Sequence, residues 1–162
     1  MGSEIKVADR GALLVVSKRL PVTLSEIGGI LGAAFGEVYG HIQARGATPA
    51  GPPFVIYHGV PVADLPFDVE ICAPVTRAID PPAGWRLQEL PAGRFATLVH
   101  VGPYDTLGAT YDALGQWIGT HDLAVAGPPR EVNLSEAGTP PEQTRTVVEF
   151  PVVAAAAPAV SG

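Results

Sequence analysis

What this chain has least of is cysteine and basic charge. Cys72 is its only cysteine, which excludes an internal disulfide and a multi-cysteine metal site and agrees with a reducing cytoplasm. Ten Lys and Arg stand against sixteen Asp and Glu, a formal net charge of −6. Those basic residues are scattered, which argues against a nucleic-acid surface and makes cationic ligands the more natural partners. His41, His58, His100 and His121 are isolated, with no pair at ligand spacing, so no metal is expected. Apolar runs are broken by Gly, Pro or charge well short of a membrane span, and Met1-Gly2-Ser3-Glu4 opens no signal pattern. A Gly-Lys-Ser/Thr phosphate loop and a Gly-x-Ser-x-Gly elbow are both missing, which leaves nucleotide hydrolysis and serine-esterase chemistry unsupported. The expectation is a cytoplasmic protein with no cofactor and no nucleic-acid or membrane partner.

What is present is enough apolar material for one core. At 162 residues, with 47% hydrophobic and 16% charged side chains, the chain suits one domain and is no disordered polyelectrolyte. That domain is expected over residues 1–152, with an Ala- and Pro-rich disordered tail over 153–162.

The chain also repeats a phrase. Ala50-Gly51-Pro52-Pro53-Phe54-Val55-Ile56-Tyr57 is answered, at an offset of 76 residues, by Ala126-Gly127-Pro128-Pro129-Arg130-Glu131-Val132-Asn133. β-rich runs are predicted over 12–18, 54–58 and 67–75, and again over 94–101, 130–134 and 144–152, with a short strand over 85–90 between the halves. Between the first and second run of each set lies a helical period. Ile27, Leu31, Phe35, Val38 and Ile42 share one face after a cap at Thr23 or Ser25, and Leu107, Tyr111, Leu114, Trp117 and Ile118 share another after Asp105 or Thr106. Gly28, Gly29, Gly32, Gly36 and Gly40 weaken the first helix, and close approach to a sheet is one reason to tolerate them. The offset lays Phe35 on Tyr111, Val38 on Leu114 and Ile42 on Ile118. Strand, helix, strand, strand, twice over (about 12–75 and 94–152), predicts an α+β fold of duplicated βαββ units about a pseudo-twofold axis. Its curved antiparallel sheet would carry both helices on one face and leave the other free to bind.

Four segments in order then carry a family resemblance: Leu90-Pro91-Ala92-Gly93-Arg94-Phe95-Ala96, Val99-His100-Val101-Gly102-Pro103-Tyr104, Gly127-Pro128-Pro129-Arg130-Glu131-Val132 and Val148-Glu149-Phe150-Pro151-Val152. Together they resemble the GyrI-like small-molecule-binding domain, shared by gyrase-inhibitory proteins and the effector-binding domains of AraC- and MerR-type regulators. The resemblance implies a ligand cleft between the halves, aromatic and apolar in lining. It implies a glutamate anchor for cationic aromatic ligands at Glu131 and, with no DNA-binding helical module ahead of it, a stand-alone member, monomer or weak dimer. Two alternatives come with it. One is hydrolysis of cyclopropane-containing genotoxins, with Glu131 as general base and Tyr57 as acid; the other is inhibition of DNA gyrase by protein contact.

The residues themselves also single out Glu131, because it stands where the first copy has Val55. Strand alternation puts Glu131 and Asn133 on one side and Arg130, Val132 and Leu134 on the other, so a helix-packed Val132 would turn Glu131 into the cleft. There its carboxylate would be partly desolvated and would favour a cation or a proton. Val55 and Tyr57 should face it from the first half, Tyr57 offering a π-face and a phenol. Trp85, Tyr104 and Tyr39 are candidate aromatic walls, whereas Phe35, Tyr111 and Trp117 are at core spacing. Glu70 and Glu149 alternate with apolar neighbours and are candidates for the cleft, as is His100.

Overall fold

The structure is a computed structural model that describes residues 4–135 and 138–155, the side chain of Tyr104 excepted. Alternating apolar residues generate strands β1 (Lys6–Arg10), β2 (Leu13–Val22), β3 (Phe54–Tyr57), β4 (Phe67–Pro74), β5 (Arg86–Leu90), β6 (Gly93–Val101), β7 (Leu123–Val125), β8 (Arg130–Asn133) and β9 (Arg145–Ala154). Helix α1 (Ile27–Ala44) follows β2, and α2 (Leu107–Thr120) follows β6. All pairings are antiparallel, in the order β1-β6-β9-β8-β3-β4-β2-β5, with β7 added beside β9. The fold is therefore α+β, with a curled antiparallel sheet and two helices.

The strand order is palindromic about its centre: β6-β9-β8 on one side mirrors β2-β4-β3 on the other. At the centre β3 pairs with β8, Val55 directly opposite Glu131, Phe54 opposite Val132 and Ile56 opposite Arg130. Val55 and Glu131, separated by the repeat offset, thus meet across one ladder on neighbouring strands.

The helices cover one face. Val38 and Ile42 of α1 pack on Val16, Ile71 and Ala73, while Leu114 and Ile118 of α2 pack on Ala96, Leu98 and Val148. The opposite face has its own apolar layer of Val15, Phe54, Ile56, Cys72 and Leu90, with Leu13 and Val132 against it. Both faces of the sheet centre are thus apolar, and this overturns the expectation that Val132 packs under a helix.

Several sequence expectations are corrected here. Neither helix has a side-chain N-cap bond: Glu26 and Thr106 occupy the cap positions, and the Thr23 hydroxyl meets Ser25 Oγ at 3.2 Å. A Cβ built on Gly28, Gly29, Gly32, Gly36 or Gly40 meets nothing within 4 Å, so close sheet contact is not why α1 holds glycines. Strand β9 runs on through Val153 and Ala154, paired with Ala124 and Leu123. These residues extend the sheet where a tail is expected, and residues 156–162 of that tail lie outside the described residues.

Candidate functional site

Glu131 follows Arg130 on β8, and successive side chains on a strand take opposite faces. With Arg130 and Val132 on the helix-free face, Glu131 points to the helix side. There Tyr57 of β3 donates its phenol hydrogen to Oε1 at 3.1 Å, and Tyr111 of α2 donates to Oε2 at 2.5 Å. Phe67 stacks beside Tyr57, ring centroids 6.3 Å apart, and Phe150 meets the Tyr111 ring edge-on at 5.8 Å.

Glu131, Tyr57, Tyr111 and Phe150 floor a cleft of about 980 Å³. Gly108, Tyr111 and Asp112 of α2 wall one side, Gly59, Val60 and Pro61 of the β3–β4 connection another, and Gly127, Pro128 and Pro129 a third. Two of these positions leave little room for a Cβ. A Cβ on Gly59 would lie 3.1 Å from the Asp68 nitrogen, and one on Gly127 would lie 3.3 Å from Pro151 Cγ. The second copy of the repeated phrase thus lines this cleft.

Burial drives the pKa of Glu131 up, and the hydrogen bonds from Tyr111 and Tyr57, with a smaller electrostatic pull from His100, only partly offset it. Tyr111 in turn is pushed up by burial and by the facing carboxylate. Among the described residues no basic side chain pairs with Glu131; Arg19, at the rim, is 3.2 Å from Asp68. The result is a half-buried anion held in an apolar and aromatic recess by neutral donors.

The structure brings Glu131 and Tyr57 together as expected and adds Tyr111, which the helical period assigned to the core. Its ring does touch the α2 core, but the phenol reaches past it. The other candidates lie elsewhere. Val55 is buried beneath Ile27, Ile30 and Leu31 of α1. Asn133 turns its Oδ1 to the Ser135 amide at 2.9 Å, closing a turn. Trp85 is core under α1, its Nε1 donating to Glu37 at 3.0 Å. Tyr39 packs against the same core, and burial pushes its phenol up to about 12. The Tyr104 side chain lies outside the described residues.

His100 ties β6 to the start of α2: its Nδ1 meets the Thr110 hydroxyl at 2.7 Å and its Nε2 the Pro103 carbonyl at 3.0 Å. Glu70 and Glu149 both face the helix-free side. Glu70 binds His58 at 2.9 Å and Gln88 at 2.5 Å, and Glu149 binds Arg10 at 2.8 Å. Burial works to raise the Glu70 pKa, yet hydrogen bonds from His58, Ser17 and Gln88 outweigh it and hold it low.

A curled α+β sheet with an aromatic recess between its elements and one desolvated carboxylate inside is the architecture of a small-molecule-binding domain. Comparison with known families agrees: the GyrI-like small molecule binding domain matches residues 3–153, and the chain belongs to that family. Among solved structures, the EcmrR C-terminal domain is similar at 26% identity and a TM-score of 0.82, over 95% of this chain and 99% of that one. EcmrR in its DNA complex is similar at 25% identity and a TM-score of 0.82, but this chain spans only 58% of that one while 94% of itself is covered. SAV2435 bound to tetraphenylphosphonium shares the fold at 15% identity and a TM-score of 0.64, over 93% of this chain and 94% of that one. A comparison with curated proteins found no match. No helix among the described residues is long and apolar enough to cross a membrane.

Proposed function

We propose that this domain binds amphipathic aromatic cations in the cleft over β3 and β8, with Glu131 as counter-charge. The observation that carries the reading is a half-buried carboxylate that, among the described residues, forms no ion pair: its two oxygens are held by the phenols of Tyr57 and Tyr111, and burial outweighs what stabilises its charge. A ligand cation entering the recess would relieve that desolvation. Flat or branched aromatic groups would gain contact with Tyr57, Tyr111 and Phe150, and a desolvated cation over an aromatic face adds about 2 kcal/mol. Affinity would come from apolar burial and charge selection from Glu131, which fits broad specificity within one charge class. A tetraphenylphosphonium-bound protein of the same fold supports that ligand class.

The hydrolytic alternative would use a remaining Glu131 lone pair to take a proton from an attacking water, with Tyr57 as acid; each oxygen accepts from one phenol and keeps a further acceptor site.

The test is calorimetric titration with tetraphenylphosphonium and its neutral analogue triphenylphosphine oxide, on the wild type and on Glu131→Gln. The expected result is a cation affinity at least about tenfold weaker in Glu131→Gln, about 1.4 kcal/mol, with the neutral analogue unaffected. Equal cation binding by both proteins would overturn the role of Glu131. A parallel incubation with a cyclopropane-bearing alkylator decides the chemistry, since turnover that is lost in Glu131→Gln would replace the binding reading with the hydrolytic one.

A further inference from the structure

The helix-free face holds a second recess, of about 480 Å³, between the β1–β2 connection and strands β3, β6 and β8. Its lining is mostly apolar, including Leu13, Phe54, Leu90, Phe95, Val132 and Val147. The first copy of the repeated phrase, Ala50-Gly51-Pro52, forms part of its wall, so the two copies serve different cavities on opposite faces.

Three charged side chains reach this recess: Arg10, Arg130 and Glu149. Glu149 is only 6% exposed and is taken by Arg10 at 2.8 Å. Arg130 lies opposite Glu149 in the ladder, but its guanidinium is held by rings: its central carbon is 4.5 Å from the Phe95 centroid and 5.2 Å from that of Phe54. Among the described residues no side chain accepts a hydrogen bond from it and no carboxylate forms an ion pair with it. Burial pulls its pKa below the ordinary arginine value, against the pull of Glu149. Two guanidiniums and one carboxylate leave the recess with one positive charge in excess.

A guanidinium whose faces rest on aromatic rings still presents its N–H fork along its edge, and that fork matches a carboxylate bidentately. We propose that this recess is a second binding site, selective for an apolar monocarboxylate whose head forks onto Arg130 and whose body fills the space lined by Leu13, Leu90 and Val132. The volume lies in the range of small-molecule sites, about 300–1,000 Å³. Its sign is opposite to that of the Glu131 cleft, because adjacent residues of β8 project to opposite faces.

The probe is 2-naphthoate, with uncharged 2-naphthamide as its control. Titration should show saturable naphthoate binding to the wild type that weakens at least tenfold in Arg130→Gln, changes less than twofold in Glu131→Gln, and is not reproduced by the amide. Arg130→Lys keeps the charge but loses the fork, and should also bind more weakly. Amide resonances of the wild-type protein give a readout that needs no variant to fold. Naphthoate should shift Gly11 and Gly51 and leave Gly108 and Gly127 in place. Absence of saturable binding, equal affinity in a folded Arg130→Gln protein, or shifts confined to Gly108 and Gly127 would each overturn the assignment.

Discussion

At the scale of single residues, Glu131 is a half-buried carboxylate and Glu70 a buried one, and their surroundings push them in opposite directions. Glu131 has its pKa raised by burial, so the folded state holds that proton more tightly than the unfolded chain does. Its contribution to stability is therefore greatest at low pH and declines as pH rises from the unfolded value through the raised folded one. Glu70, held low by His58, Ser17 and Gln88, contributes stability above its unfolded value and loses it as pH falls through the folded one. Glu131→Gln should abolish the first effect only: the loss of melting temperature as pH rises above the ordinary carboxylate value should be smaller in the variant, as scanning calorimetry can check. On the proposed function, tetraphenylphosphonium affinity should weaken as pH falls through the raised Glu131 value and be flat with pH in Glu131→Gln. Glu131 stood out in the sequence because the second copy of the repeat puts a carboxylate where the first has Val55. Tyr111 did not, since periodicity reports the face a ring occupies and is silent on where its hydroxyl ends.

At the scale of elements, α1 is weaker than its packing requires. Its glycines have open space where a Cβ would stand, and each costs about 1 kcal/mol relative to Ala. Gly32→Ala should raise unfolding free energy by about 0.5–1 kcal/mol in urea titration. Gly59→Ala should lower it, because its Cβ would sit 3.1 Å from both the Asp68 nitrogen and Phe67 Cβ, and contacts that tight shift the chain. The long strands and both helices could be read from their periods. Strand β1, whose residues are mostly exposed and carry Lys6, Asp9 and Arg10, and the short β7 could not. An edge strand with little to bury shows no hydrophobic alternation, and three residues are too few to show any period. Trp85 follows the same logic: an aromatic beside a linker looks available, yet α1 covers it.

At the scale of the whole molecule, one sheet runs from β1 to β5 without a break, and its two mirrored sets of strands join through the β3–β8 ladder. Each half ends at a strand that would be an open edge without the other, and on the helix-free face the apolar layer crosses the join through Val132. Thermal unfolding should therefore be one transition, with calorimetric and van't Hoff enthalpies equal. A fragment ending at Asp80 should show no cooperative melt, because β3 would expose its unpaired edge. Two separate transitions in the intact protein would refute this coupling.

The sequence by itself determined the element types, the order of the two sets and the prominence of Glu131, because these follow from local period and from a repeat whose second copy carries a carboxylate where the first has Val55. Only the tertiary structure decided which face each strand residue occupies. A period of two separates neighbours but does not name the sides, and here both sides are apolar at the centre. That parity put Glu131 with Tyr57 and Tyr111 under the helix side, and Arg130 with Phe54 and Phe95 on the other. Long-range pairing of β3 with β8, and the packing of helix on sheet, set it.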